Sequence, residues 1–280
     1  MVYFDIFYST PVVWNNYRGF IANRAEQKHK KNYTRSVWFI KEKRIKASRF
    51  LYGNNYVDAC AGSILCRRFY QKNAADMQIK SESIDRFISD FYKSSFSDMS
   101  LPEASIAYGS ADSKIKIAIF TDFMCSACGK SHEVINRLIK KYPKDIYIQY
   151  YLYPLDSQCN KDIRITLYKN SCMLSKYMIM ASIEGMYPET ETYYYDKNSI
   201  IRNSFKRGDY SLLKEFFSSR GRIIRPDIER EAREIISRDV KLAGILGIES
   251  MPVMFINGRQ INGAYPYEYI DAIIKIELSE

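Results

Sequence analysis

The sequence is poor in the side chains that most often build metal centres. It has two histidines, His29 and His132, and six cysteines in 280 residues. Six cysteines are too few for a disulfide scaffold at this length. Long apolar runs are also missing. Residues 115–120 and 251–256 have strand length, far short of the ~18 residues of a membrane-spanning helix. Residues 1–14 carry Asp5 and no basic residue before Arg18, so no secretory signal is visible. A cytoplasmic location, a start further upstream and another export route all stay open. There is no internal repeat and no low-complexity tract. What is present is 46% apolar and 26% charged residues, enough to bury a core and too little charge for wholesale disorder.

The net charge of +10 is uneven. Residues 1–80 hold 15 Lys/Arg against 5 Asp/Glu, whereas residues 81–280 hold 27 of each. Such asymmetry divides the chain into a basic N-terminal region (1–80), a helix and linker (81–103) and a main domain (104–280). Residues 31–56 interleave aromatics with basic side chains. That pattern suits phosphate contact and stacking or an anionic membrane surface. A solvated basic appendage is the preferred reading, and nucleic acid is not an expected partner.

Periodicity supplies the elements. Residues 36–51 read as a weakly amphipathic helix. Residues 81–96 read as a helix capped by Ser81, with Ile84, Phe87, Ile88 and Phe91 on one face. Residues 97–102 read as a break. The β-branched run 114–121 reads as a buried strand. A helix follows Cys125, with Val134, Ile135, Leu138 and Ile139 at helical spacing, and Tyr142-Pro143 closes it. Residues 145–153 read as a second strand, and 157–225 as a largely helical insertion. Pro226 opens a long helix. Residues 252–256 and 259–262 read as a hairpin around Asn257-Gly258, and 265–278 as a final helix. The order gives an α/β sheet with one crossover and a terminal hairpin.

The motif that carries chemistry is FTDFMCSAC, residues 120–128. A strand ends, two cysteines follow at C-x-x-C spacing, and a helix begins. Cys125 sits where free backbone N–H groups and the helix dipole favour a thiolate. It reads as the nucleophile and Cys128 as the buried resolving thiol. Zinc sites share the spacing but need a second pair. Cys159 and Cys172 are too far apart to supply one, and no histidine is well placed, so no metal and no organic cofactor is expected.

With GIESMPVMFINGRQINGA (247–264) placed after FTDFMCSAC, residues 104–280 resemble the DsbA-like branch of the thioredoxin superfamily. The resemblance implies a thioredoxin-like fold with a helical insertion and a basic N-terminal extension. It implies a thiol–disulfide oxidoreductase acting on protein thiols and disulfides. In that family an X-Pro bond before a strand is cis and lies against the cysteines. Met251-Pro252 matches it, which implies a substrate-binding role. YPLDSQCN (153–160) and NSCMLSKYMIMAS (170–182) are similar to a subgroup associated with vitamin K epoxide reductase-type membrane partners. There both cysteines recur, so Cys159 and Cys172 are candidates for a second, structural disulfide. A membrane redox partner and an extracytoplasmic location are further implications.

Ser126-Ala127 lacks the proline and histidine common in strongly oxidising members, so the direction of electron flow does not follow from the motif. Ser126 offers one hydroxyl to Cys125 instead. A redox-inactive client-binding module is the alternative for the same fold. Asp122 reads as a solvated or strand-capping residue rather than a proton relay. His132, two helical turns beyond Cys125, does not read as a base. Cys60 and Cys66 flank AGSIL as a disulfide or as two thiols.

Overall fold

The computed structural model describes residues 64–94, 96, 101–222 and 226–279. These fall into two compact units. One ends at Tyr92 and takes in the C-terminal residues from Lys275; the other is Lys93–Ile274. The helix read at 36–51, most of the break at 97–102 and the side chains of Cys60 and Cys66 lie outside the described residues.

In the first unit, α1 (Ile64–Lys93) buries Ile84, Ile88, Phe91 and Tyr92, and the Tyr92 hydroxyl donates to Glu277 at 2.6 Å. The helix starts well before Ser81, which is therefore an interior residue and not a cap. Helix-forming Arg, Gln, Lys, Met and Ala residues make up most of 67–80 and carry the helix past the serine.

The second unit is built on a five-stranded sheet in the order β1-β3-β2-β4-β5. β2 (Ile115–Thr121) is central and buried on six of its seven residues, which explains its largely apolar, β-branched run. It pairs in parallel with β3 (Ile146–Leu152) and antiparallel with β4 (Val253–Ile256). α2 (Ser126–Lys141) makes the crossover, burying Val134, Ile135 and Leu138, and ends at Tyr142. β4 returns as β5 (Arg259–Asn262) through Asn257 (φ 45°) and Gly258 (φ 82°). Positive φ at both residues matches the right-handed twist of the hairpin strands.

One strand was not legible. β1 (Ile106–Tyr108) pairs antiparallel with β3 and is only three residues long. A strand that short carries no detectable alternation. Between β3 and the long helix α7 (Pro226–Ile245) lie four helices: α3 (Ser171–Ile183), α4 (Tyr187–Asp196), α5 (Asn198–Lys206) and α6 (Ser211–Ser218). They form the helical insertion. Its first part, 157–170, is a run of turns. α7 buries Ile228, Ala232, Ile236, Val240 and Ala243. α8 (Tyr267–Ser279) closes the chain, burying Ile270, Ile273 and Ile274. This is a thioredoxin-like α/β architecture, with the C-terminal ends of β2 and β3 opening toward the insertion.

Candidate functional site

β2 ends at Thr121, and a short turn leads into α2. Its shape is fixed by Asp122. The Asp122 carbonyl accepts the Cys125 amide at 3.0 Å. Its Oδ1 accepts the Met124 amide and its Oδ2 the Leu155 amide, both at 2.7 Å. An aspartate that satisfies two amides can be buried, and Asp122 is fully so. The expectation of a solvated aspartate is thus corrected, because Leu155 and the insertion cover it. Burial pushes its carboxyl up to about 6, against the two amide bonds that favour the charged form.

Cys125 is the N-cap of α2, and no acidic residue stands in the first turn to offset the helix dipole. Both cysteines are free thiols; Cys125 is 7% exposed and Cys128 is fully buried. The Cys125 side chain closes no full capping hydrogen bond. Even so, its thiol is pulled down to about 5. The Cys128 thiol, donating to it, is the main cause; the Cys128 and Ala127 amides and the Tyr168 hydroxyl also favour the anion, against burial. Cys128 is pushed the other way, held protonated by that same hydrogen bond and by burial. The Asp122 amide donates to its sulfur at 3.5 Å.

Ser126, by contrast, is exposed and is not among the groups that favour the thiolate. Tyr168 takes the place the sequence reading gave to Ser126. It lies 43 positions beyond Cys125 in a turn region, where no sequence pattern marks it. Its placement follows from Leu155, whose carbonyl accepts the amides of Leu167 at 2.9 Å and Tyr168 at 3.1 Å.

Met251 and Pro252 immediately precede β4. Val253 pairs with Phe120, which brings the Met251-Pro252 bond to the end of the sheet where the Cys125 turn departs. That bond is cis, Pro252 is buried, and its carbonyl accepts the Gly263 amide at 2.8 Å. Cys159 and Cys172 are joined in a disulfide that encloses the Tyr168 turn. No group of three or more His, Cys, Asp or Glu side chains among the described residues could hold a metal ion.

His132 is fully buried on α2. Its Nε2 lies 3.2 Å from Thr121 Oγ1 and its Nδ1 2.8 Å from Glu191 Oε1. Thr121 and Glu191 gave no sequence signal, since Glu191 reaches the site only through the insertion.

Residues 101–276 match the thioredoxin family. No curated protein matches the chain. Among solved structures it is similar to a periplasmic thioredoxin-like protein from Salmonella enterica serovar Typhimurium. That pair has 18% identity and a TM-score of 0.46, covering 62% of this chain and 90% of the other. It is similar to a linker-deletion mutant of Proteus mirabilis ScsC, at 17% identity and TM-score 0.48 over 81% and 95% of the two chains. Wolbachia pipientis alpha-DsbA1 stands at 17% identity and TM-score 0.47, with 65% and 94% covered.

Proposed function

The chain belongs to the thioredoxin family, and on that premise we propose that it is a protein thiol–disulfide oxidoreductase whose redox pair is Cys125 and Cys128. The observation that carries this reading is the asymmetry of the two thiols. Cys125, at the helix start, has its thiol held down to about 5 by the Cys128 thiol, and Cys128 is buried and protonated. The first is anionic at neutral pH and nucleophilic; the second waits.

In the proposed reaction the Cys125 thiolate attacks a client disulfide, forming a mixed disulfide and releasing one client thiolate. Cys128 then attacks Cys125, forming the intramolecular disulfide and releasing the second client thiolate. In reverse, the pair oxidises a client dithiol. The client lies as an extended segment beside Met251 and Pro252. Ile165 and Leu167, just before Tyr168, are 77% and 64% exposed, an apolar surface suited to an unfolded client. The chemistry needs no organic cofactor, and electrons pass to or from a partner protein.

An extracytoplasmic location accords with the Cys159–Cys172 disulfide, since such bonds persist in oxidising compartments. No helix among the described residues is long and apolar enough to cross a membrane. The thioredoxin-like domain from about 104 and the basic region 1–80 are separate functional parts, with α1 (Ile64–Lys93) continuing through position 80.

The test is equilibration in glutathione buffers, followed by trapping of free thiols and mass mapping of each cysteine. The reading expects Cys125 and Cys128 to interconvert between dithiol and mutual disulfide. A potential near about −120 mV marks a donor of disulfides, and one near about −270 mV a reductase. Failure of the two to bond at any poise would leave a client-binding module in place of an enzyme.

A further inference from the structure

Resolution of the mixed disulfide poses a problem for the buried thiol. While Cys125 is a thiolate, the Cys128 proton is held in the hydrogen bond between the two sulfurs. Once Cys125 is bonded to a client sulfur, that anionic acceptor is gone. Cys128 must still lose its proton to attack, and it sits fully buried. A neighbouring base must take it.

The Asp122 amide lies 3.5 Å from the Cys128 sulfur, so the sulfur rests against the Thr121–Asp122 peptide. The Thr121 side-chain oxygen is one of the groups that favour the Cys128 thiolate, and it meets His132 Nε2 at 3.2 Å. His132 Nδ1 meets Glu191 Oε1 at 2.8 Å, and the Tyr187 hydroxyl donates to the same oxygen at 3.0 Å. Glu191 accepting from Nδ1–H leaves Nε2 with a lone pair, which can accept the Thr121 hydroxyl proton. The ring cannot swing away, because it stacks on Tyr150 from β3 with centroids 4.9 Å apart and planes 2° apart. Phe123 and Tyr195 close its other sides.

We infer that Thr121, His132 and Glu191 form a proton relay that deprotonates Cys128 during resolution, with His132 as the base. The relay rests on the oxidoreductase reading above and names the proton acceptor for its second step. The Cys128 S–H proton moves to Thr121 Oγ1 as the Thr121 proton moves to His132 Nε2. The Cys128 thiolate attacks the Cys125 sulfur; the Cys125–Cys128 bond forms and the Cys125–client bond breaks. The client sulfur leaves with the bonding pair as a thiolate and is protonated from solvent. Glu191 stabilises the imidazolium, as the acidic member of a Ser-His-Asp triad does. Its carboxylate side chain is 10% exposed and provides the outlet to water.

The other titratable groups around His132 are the phenols of Tyr150, Tyr187 and Tyr195. All three are held well above their usual range by burial and by Glu191, and so stay neutral. Asp122 is the competing carboxylate. Both its oxygens are engaged by the Met124 and Leu155 amides, which leaves it poorly placed to accept a thiol proton.

The experiment follows reduced full-length protein reacting with oxidised glutathione in single turnover, quenched in acid and read by mass. The mixed disulfide and its resolution are separate species, so each step has its own rate, measured from pH 5.5 to 9. Wild type is expected to resolve quickly at neutral pH. Thr121→Val, nearly isosteric within β2, and His132→Gln are expected to slow resolution by about 10²-fold at pH 7 and make it rise steeply with pH, while mixed-disulfide formation keeps its rate. Thr121→Ser, which keeps the hydroxyl, is expected to recover the lost rate. Unchanged resolution and pH profile in both Thr121→Val and His132→Gln would overturn the relay. So would the same defect appearing in Asp122→Asn alone, which would make Asp122 the base. If wild type forms no mixed disulfide at all, the oxidoreductase reading itself falls and takes the relay with it.

Discussion

Asp122 and Leu155, 33 positions apart, are joined by a hydrogen bond from the Leu155 amide to Asp122 Oδ2 at 2.7 Å. It ties the turn before Cys125 to the segment after β3, and the Leu155 carbonyl in turn holds Leu167 and Tyr168. The Cys125 turn and the Tyr168 turn are therefore two sides of one clamp.

The clamp has a pH signature. The Asp122 carboxyl is raised from the usual 3.8 to about 6, chiefly by burial. The folded chain thus holds a proton that the unfolded chain has lost, and stability falls as pH rises through that window. A two-unit shift corresponds to about 3 kcal/mol. Urea unfolding of reduced protein at pH 4 and pH 7 should show wild type losing about 2 kcal/mol more than Asp122→Asn across the interval, the rest of the effect lying below pH 4. An equal change in both would mean that Asp122 titrates normally.

Tyr168 acts on Cys125 from the other side. A hydrogen bond to an ionised group contributes about 1.5–3 kcal/mol, so Tyr168→Phe should raise the Cys125 midpoint from about 5 by about one unit. Thiolate absorbance at 240 nm against pH measures this directly. On the proposed function, removing a group that favours the reduced thiolate lowers the potential of the Cys125–Cys128 pair by about 30 mV. A Tyr168→Phe curve superposed on wild type would remove Tyr168 from the site.

What could be read from the sequence was what neighbouring residues determine. The apolar run at Ile115–Thr121, the Asn257-Gly258 turn and the C-x-x-C spacing are local, and each is where it was expected. Met251-Pro252 came from resemblance alone. Tyr168, Glu191 and the burial of Asp122 and His132 were hidden because the insertion supplies their surroundings. A histidine two turns along a helix looks remote from a cysteine, but here its Nε2 reaches Thr121, the residue that ends the strand before the Cys125 turn. β1 was too short to leave a pattern.

That short strand depends on the glycine that follows it. Gly109 has φ +90°, and a Cβ there would run into the carbonyl of Ile146 at the start of β3. Both the conformation and the contact exclude a side chain. Gly109→Ala should cost about 2 kcal/mol or more, by detaching β1 from β3. Amide hydrogen exchange would show it as lost protection at Ile106–Tyr108 with β2 and β4 still protected. Wild-type protection in the variant would mean that β1 tolerates a shift at its end.

The Cys159–Cys172 disulfide closes a loop with a sequence separation of 13 around Tyr168. By loop entropy such a closure stabilises the fold by about 3 kcal/mol. The paired change Cys159→Ser with Cys172→Ser should lower unfolding free energy by that amount. Its effect on Cys125 is a separate matter. Tyr168 is held through its amide by the Leu155 carbonyl, and Leu155 by Asp122, neither of which needs the disulfide. The Cys125 thiolate midpoint should therefore stay near its wild-type value in the paired variant while stability drops. A midpoint that rises as far as in Tyr168→Phe would mean that the disulfide, and not the clamp through Leu155, keeps the tyrosine on the thiolate.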